Sequence, residues 1–283
     1  MLKGYIIEKY NNMGNAYTCA RLAEEARIMG HQIDIIGVHD TIINGAHLEN
    51  HGTILKERDY VINRYKWGHI KDEINNIVIQ SYNRLDCYKP FIDKYTQLKS
   101  LESSSFINPK YVLGTVQSNY ETISSKLSSP FVSKGLDSSM GREIRLISNA
   151  EDFSLLSKAY PSEKEILYEE FISSSFGRDL RLFCIRGQAI ACMLRESNKD
   201  FRANVALGAC VSSYPINETL QGIANDIYSL THLDVVGVDL LFGNDSYYLC
   251  EINVMPGLEG IEHASGINIA HLIIKQIVED FKD

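Results

Sequence analysis

Apolar residues fall at two spacings along this chain, and the switch between them divides it. Tyr5 to Ile7 is an unbroken apolar run, residues 15–29 carry Ala16, Ala20, Ala23 and Ala26 at helical spacing, and Ile33 to Val38 is apolar again. Strand, helix, strand is the order of a βαβ unit in a parallel sheet, with Gly30 ending the helix. The Asn-Asn-Met-Gly-Asn turn at 11–15 precedes a helix N-terminus, where an anion can sit, but it lacks GxGxxG and reads first as a tight βα turn. Further strands, Asp59 to Asn63 and Ile77 to Gln80, end in Arg64-Tyr65-Lys66 and Ser81-Tyr82-Asn83. Ligands of open α/β sheets bind beyond the carboxyl ends of strands, so both segments are expected at a cleft.

Beyond residue 90 the pattern is mixed. Helical spacing over Asp93 to Leu101 precedes a Ser-rich turn, and strand-like runs at Tyr111 to Leu113 and Pro130 to Lys134 flank a polar, helix-like segment. Strands are then expected at Glu165 to Ile172, Leu180 to Arg186 and Gln188 to Arg195, the last two forming a hairpin through Arg186-Gly187. Leu220, Ile223, Ala224, Ile227 and Leu230 mark an amphipathic helix. Strands follow at Val235 to Phe242 and Tyr247 to Asn253, and a last helix runs from about Ile267 to Phe281. The fold class read from this order is α/β followed by α+β.

Composition narrows the function. The 283 residues, 45% of them hydrophobic, suffice for one large domain or two to three small ones. No stretch approaches the length of a membrane span and the N-terminus lacks a secretory pattern, so a cytoplasmic protein with no membrane partner is expected. Six cysteines without a CxxC pair indicate neither a disulfide framework nor a zinc site. A net charge of −8 disfavours a nucleic-acid partner and points to a small one, and a homo-oligomer is compatible with all of this.

The stretch GVDLLFGNDSYYLCEINVMPG at 237–257 holds the densest chemistry. Val238, Leu240, Phe242, Tyr248, Cys250 and Ile252 alternate onto one face, and Asp239, Glu251 and Asn253 onto the other. With an odd turn, Asn244 to Ser246 being the simplest, Asp239 stands opposite Glu251; an even turn separates them. Two carboxylates and an amide oxygen suit magnesium rather than zinc, although a solvated outer face has the same pattern.

Cations supply the rest. Lys134 ends an apolar strand and runs into Gly135-Leu136-Asp137-Ser138-Ser139-Met140-Gly141, a small flexible loop whose amides and hydroxyls can cover phosphates. Lys94 follows Asp93 in a similar setting. Glu169 and Glu170 interrupt an apolar strand, where a purine and ribose meeting Glu170 and Phe171 would explain them, an edge strand with exposed glutamates being the alternative. Arg178, Arg181 and Arg202 are the candidate phosphate grips, Arg202 foremost, with surface ion pairs as the alternative.

Taken in order, Asp93-Lys94, FVSK at 131–134, EEFI at 169–172, GRDLR at 177–181, DFRAN at 200–204, GVDLL at 237–241 and EINVMPGLEGIEHASGINIA at 251–270 resemble the ATP-grasp superfamily in its RimK-like α-L-glutamate ligase branch. The resemblance covers about residues 60–278. It implies a Rossmann-like pre-ATP-grasp domain over 1–90, an ATP-grasp small subdomain with the phosphate-covering loop over 91–172, and a C-terminal subdomain with the metal site over 173–283. By the same resemblance ATP meets Lys94, Lys134, Ser138, Ser139, Gly141, Glu170, Phe171, Asp179, Arg202, Ala203 and Asn204. Asp239, Glu251 and Asn253 would hold two Mg²⁺ ions, with Mn²⁺ a possible substitute. Arg64, Arg181, Gly257 and Glu259 would contact substrate, and Lys134 and Arg202 would be catalytic.

The implied reaction joins a small-molecule or peptide carboxylate to an amine such as an amino acid, through an acyl-phosphate, with release of ADP and phosphate. Ser138-Ser139-Met140-Gly141 is poorer in glycine than is usual for this branch. The alternatives are a small-molecule kinase on the same fold and a non-catalytic ATP-binding module.

Overall fold

The computed structural model describes residues 1–12, 16–102, 104–138, 141–205 and 208–282. The first strand, β1 (Lys3–Glu8), leads through α1 (Ala16–Ile28) to β2 (Gln32–Gly37). A small antiparallel sheet follows, made of β3 (Thr41–Asn44), β4 (His47–Asn50) and β5 (Thr53–Ile54). Then come β6 (Arg58–Asn63), α2 (His69–Asn76) and β7 (Val78–Tyr82). The main sheet here has the order β2-β1-β6-β7 with parallel pairings throughout. Such a sheet is covered on both faces, which is why its strands read as continuous apolar runs. Ile6, Tyr60 and Ile62 face one core, while Tyr5, Ile7 and Val61 face another.

The first of these cores reaches the far end of the chain. Leu22 and Ala26 of α1 pack with Ile269, Ile273 and Ile277 of the terminal helix and with Phe183 of the C-terminal sheet. Each of the leucine, isoleucine and phenylalanine side chains contributes about 1.5–3 kcal/mol by leaving water, so the N-terminal sheet is fastened to the C-terminal region by burial.

After α3 (Leu85–Tyr88), helix α4 (Lys94–Leu101) begins where Asp93 accepts the Thr96 backbone N–H at 2.8 Å as its N-cap. The middle region contains β8 (Tyr111–Thr115), α5 (Tyr120–Leu127), β9 (Phe131–Gly135), β10 (Ile144–Ile147), α6 (Ala150–Ala159) and β11 (Glu165–Glu170). Its antiparallel sheet, ordered β10-β9-β11-β8, has its own core built around Phe131, Phe153 and Tyr168.

The C-terminal region comprises β12 (Arg178–Ile185), β13 (Gln188–Glu196), β14 (Cys210–Ser213), α7 (Glu218–Thr231), β15 (Val235–Phe242), β16 (Tyr247–Asn253), α8 (Glu259–Ser265) and α9 (Ile269–Asp280). The sheet order is β14-β13-β12-β15-β16, all antiparallel. Arg186 and Gly187, both with positive φ, make the expected two-residue turn between β12 and β13. Among the described residues no helix is long and apolar enough to cross a membrane.

The sheet of β3 to β5, strands β10 and β14, and helices α6 and α8 lie in segments with no assigned element in the sequence reading. The β15–β16 hairpin corrects a second expectation. Phe242 pairs with Tyr247, which leaves an even, four-residue turn at 243–246, yet Asp239 still pairs with Glu251. A bulge reconciles them: Leu240 pairs with Leu249, so Cys250 is the extra residue between Leu249 and Glu251. Leu249 thereby takes the core place expected of Cys250, and Cys250 turns to the cleft.

Candidate active site

Two adjoining cavities, of about 370 and 100 Å³, lie between the middle and C-terminal sheets and share Lys94, Ile144, Asp179, Asn204, Cys250 and Glu251 in their walls. The larger is bounded by Ser138 and Gly141 on one side, by Arg181, Asp239 and Asn253 on the sheet, and by Gly257 and Glu259 at its mouth. The smaller contains Lys134, Glu170, Phe171, Arg202 and Ala203. The structure thus gathers the expected residues at one cleft, apart from Ser139, which lies outside the described residues, and Arg64.

Arg64 sits beside a separate cavity of about 20 Å³. Its Nε is 3.4 Å from Glu8 Oε1, and its Nη1 and Nη2 donate to the carbonyls of Pro256 (3.0 Å) and Met255 (3.5 Å). The expectation of a cleft-facing substrate grip is therefore corrected: this buried guanidinium ties β6 to the loop that begins at Met255. Leu258 N donates to Thr18 Oγ at 3.0 Å, fastening the same loop to α1.

On the sheet, cross-strand register sets the chemistry. Arg181, Asp239 and Glu251 lie abreast on β12, β15 and β16, and Asp179 lies opposite Arg195 on β13. Arg181 grips Asp239 with Nε and, at 2.8 Å, with Nη2. Arg195 donates to Asp179 through Nε (2.5 Å) and Nη2 (2.9 Å), and its Nη2 also lies 3.0 Å from Asp239 Oδ2. Burial would raise the Asp239 pKa, but Arg181 and Arg195 outweigh it and hold the carboxyl below its ordinary range.

Glu251 differs from its neighbours. It lines both cavities and has no hydrogen-bond or ion-pair partner among the described residues. An unpartnered, half-buried carboxylate opposite a second one, with Asn253 nearby on the same strand, is a donor set that fits magnesium. Asn253 Oδ1 accepts the Met255 N–H at 3.0 Å, which fixes its amide.

In the smaller cavity Lys134 pairs with Glu169 and lies 3.7 Å from Cys250 Sγ. Burial would lower the lysine's pKa, but Cys250 and Glu169 outweigh it and leave it raised; burial pushes the Cys250 thiol up to about 12. Glu169 thus has a lysine as its partner. Glu170 accepts the Lys110 N–H at 3.2 Å, and the Phe171 ring meets those of Phe176 and Phe201.

Lys94 Nζ donates to the Ser138 carbonyl at 2.7 Å, so this cation is tied to the segment that follows β9. Sequence reasoning missed Arg195, the pairing of Glu169 with Lys134 and the cleft position of Cys250. Pairing the Arg186-Gly187 hairpin residue by residue would have set Leu194 opposite Asp179; a bulge between Phe183 and Cys184 shifts the register so that Arg195 stands there instead, and no signal foretold either this bulge or the one in β16.

The family described as the RimK-like ATP-grasp domain matches residues 92–277. Relatives named probable alpha-L-glutamate ligase include one from Histophilus somni (strain 129Pt), 28% identical over 94% of this chain and 96% of that protein. Another, from Haemophilus influenzae (strain ATCC 51907 / DSM 11121 / KW20 / Rd), is 28% identical over 92% and 93%. Solved structures of the same fold include D-alanine–D-alanine ligase from Bacillus anthracis complexed with ATP, at TM-score 0.71 and 16% identity over 99% of this chain and 97% of that one. Macrocyclase MdnC bound with precursor peptide MdnA from Microcystis aeruginosa MRC has TM-score 0.73 and 14% identity over 98% and 100%. ATP-grasp ligase PsnB complexed with minimal precursor, Mg and ADP has TM-score 0.70 and 13% identity over 99% and 98%. With the family match spanning most of its length, the chain belongs to the RimK-like ATP-grasp family of ATP-dependent carboxylate–amine ligases.

Proposed function

We propose that ATP occupies the two joined cavities, with adenine in the smaller one near Phe171 and the phosphates in the larger one beneath the 135–141 loop, and that a peptide or small-molecule carboxylate and an amino-acid amine meet at the mouth near Gly257 and Glu259. The observation that carries this reading is Glu251, a carboxylate without a hydrogen-bond or ion-pair partner among the described residues, facing Asp239 across the bulged pair and lining both cavities. Asp239, Glu251 and Asn253 would hold two magnesium ions, manganese being able to replace them, and metal bound there would neutralise charge on phosphate oxygens. Domain limits at residues 90 and 172, and a cytoplasmic location, are part of the same proposal.

The chain's own groups do the remaining work. A carboxylate oxygen attacks the γ-phosphorus, ADP leaves, and an acyl-phosphate is formed. The amine nitrogen then attacks the acyl carbon, phosphate leaves, and the nitrogen gives up its proton. Lys134, kept charged beside Glu169, supplies a fixed cation in the nucleotide cavity. Arg195, buried against Asp179 and Asp239, is the arginine placed to stabilise the charge that spreads during phosphoryl transfer. Arg181 holds Asp239 in place for its ligand role.

A panel of carboxylate and amine pairs, scored for ADP release, tests this reading. Release that needs both a carboxylate and an amine is expected, and hydroxylamine should trap the acyl-phosphate when no amine is given. Phosphorylation of a substrate with no dependence on amine would instead establish a kinase.

A further inference from the structure

The Arg64-Tyr65-Lys66 segment leaves β6 at the carboxyl end of the parallel sheet, and its two cations go separate ways. Arg64 turns to the carbonyls of Met255 and Pro256, whereas Lys66 Nζ donates to the Ile92 carbonyl at 3.2 Å. Ile92 stands just before the Asp93 N-cap of α4, and Lys94, the first residue of that helix, lines both cavities. Lys94 N in turn donates to the Leu136 carbonyl at 3.0 Å. Lys66 therefore reaches from the N-terminal region to the place where α4 meets the segment that follows β9.

The segment is fixed there. Arg64 N donates to the Ile7 carbonyl at 3.0 Å, and the Lys66 carbonyl accepts at 3.0 Å from Nζ of Lys71, a buried ammonium that also donates to Tyr88 Oη. Lys66 is itself half-buried.

What Lys66 lacks is a carboxylate. Lys134, Arg181, Arg195 and Arg202 each pair with an acidic side chain, Arg202 with Asp200 while it also donates to the Gly141 carbonyl at 2.7 Å. Lys66 has no ion pair among the described residues, and the Ile92 carbonyl uses one of the three N–H groups of an ammonium. Burial holds its pKa below the ordinary lysine range; Glu251 favours the charged form, Lys94 opposes it, and Asp137 and Asp93 favour it again. Glu251 is thus within electrostatic reach of Lys66 without touching it. Held apart, each keeps its charge for a ligand, Glu251 for a cation and Lys66 for an anion.

We propose that Lys66 is a binding residue contributed to the active site by the N-terminal region, and that its ammonium holds an oxyanion beside Glu251, either the terminal phosphoryl of ATP or the substrate carboxylate that attacks it. The inference rests on the nucleotide and metal placement proposed above, and it passes the anion grip expected of Arg64 to Lys66. These two oxyanions must approach each other for the acyl-phosphate to form, and a cation at their junction offsets the repulsion between them.

Calorimetry on the intact wild-type protein with Mg·ADP and Mg·AMPPNP comes first. Failure of both to bind sinks the nucleotide reading itself. Lys66→Met then removes the charge and keeps an apolar stem. Its thermal midpoint should stay at or above the wild-type value, because a half-buried cation without an ion pair costs stability. If the phosphoryl is the ligand, Mg·AMPPNP should bind about tenfold more weakly, the size of one charge-assisted hydrogen bond, with Mg·ADP unchanged. If the carboxylate is the ligand, both nucleotides should bind as in wild type. The Michaelis constant for the carboxylate identified by ADP release should then rise about tenfold, and Lys66→Arg should restore most of it. Either result supports the oxyanion role and names its source. Unchanged nucleotide binding together with an unchanged Michaelis constant overturns it. So does a lowered midpoint with Mg·ADP and Mg·AMPPNP weakened alike, which would make Lys66 a structural tie to Ile92.

Discussion

Arg195 on β13 reaches across the intervening strand β12 to stand 3.0 Å from Asp239 on β15. It is the only arginine among the described residues that touches both Asp179 and Asp239. Removing it strands two carboxylates in a buried site, which costs about 3–5 kcal/mol. Arg195→Ala should therefore melt markedly lower. Arg195→Lys keeps the charge without the fork, and should fold while losing at least about tenfold in turnover with the best carboxylate and amine pair. Near-normal turnover in the lysine variant would remove Arg195 from the chemistry.

Glu251 lacks a hydrogen-bond or ion-pair partner among the described residues and does not belong to the core clusters. Glu251→Ala should leave the thermal midpoint within about 2 °C of wild type, as expected for a position outside the usual mechanisms of severe destabilisation. Magnesium-dependent turnover should be lost. Titration with Mn²⁺ followed by its relaxation enhancement reads the same defect without catalysis, and undiminished Mn²⁺ binding in the variant would contradict the ligand role.

Arg64 predicts the opposite balance. Its side chain is buried, forms an ion pair with Glu8 and donates to the carbonyls of Met255 and Pro256, so Arg64→Met should cost about 2–4 kcal/mol and lower the midpoint at neutral pH. Glu8→Gln should do part of the same. If Arg64→Met retained its stability and instead raised the Michaelis constant of one substrate, the residue would be a substrate grip after all.

A pH dependence arises at Asp280, which accepts from Tyr82 Oη at 2.6 Å and from Arg186 Nη1 at 2.6 Å, joining α9 to β7 and to the β12–β13 turn. Burial would raise its pKa, but Arg186, Tyr82 and Gln276 outweigh it and leave it below the usual 3.8. With the folded value below the unfolded one, the stabilisation is complete above the unfolded pKa and is lost as pH falls through the folded one. Melting curves collected from pH 7 down to about 2.5 should show an acid limb that Asp280→Asn flattens, along with a midpoint at neutral pH about 2–6 °C lower. An unaltered acid limb in the variant would place that titration elsewhere.

Sequence reading succeeded where parity or a repeated spacing decides the outcome. Asp239 was read opposite Glu251, and the two do pair, with Asn253 two residues further along the same strand. It failed where a long side chain chooses among distant partners. Nothing near Arg64 in the chain announces Pro256, 192 residues away, and nothing beside Arg202 announces the carbonyl of Gly141. The turn at 243–246 illustrates a third case. The facing of Asp239 and Glu251 was legible, but an even turn and a bulge produce it where an odd turn was expected. The helices α6 and α8 escaped notice because short elements bury few residues and so leave little periodicity to read.

That bulge also sets a length scale. A regular strand shows a given face one side chain every two residues, about 6.8 Å apart. With an extra residue opposite Asp239, β16 offers Cys250 and Glu251 to the cleft in succession, and both stand in the partition common to the two cavities. A neutral thiol beside Lys134 and a free carboxylate beside Asp239 are thereby neighbours in the chain. The cavities proposed for nucleotide and metal are consequently indexed to each other by a single peptide bond, and motion of β16 cannot shift one without carrying the other along.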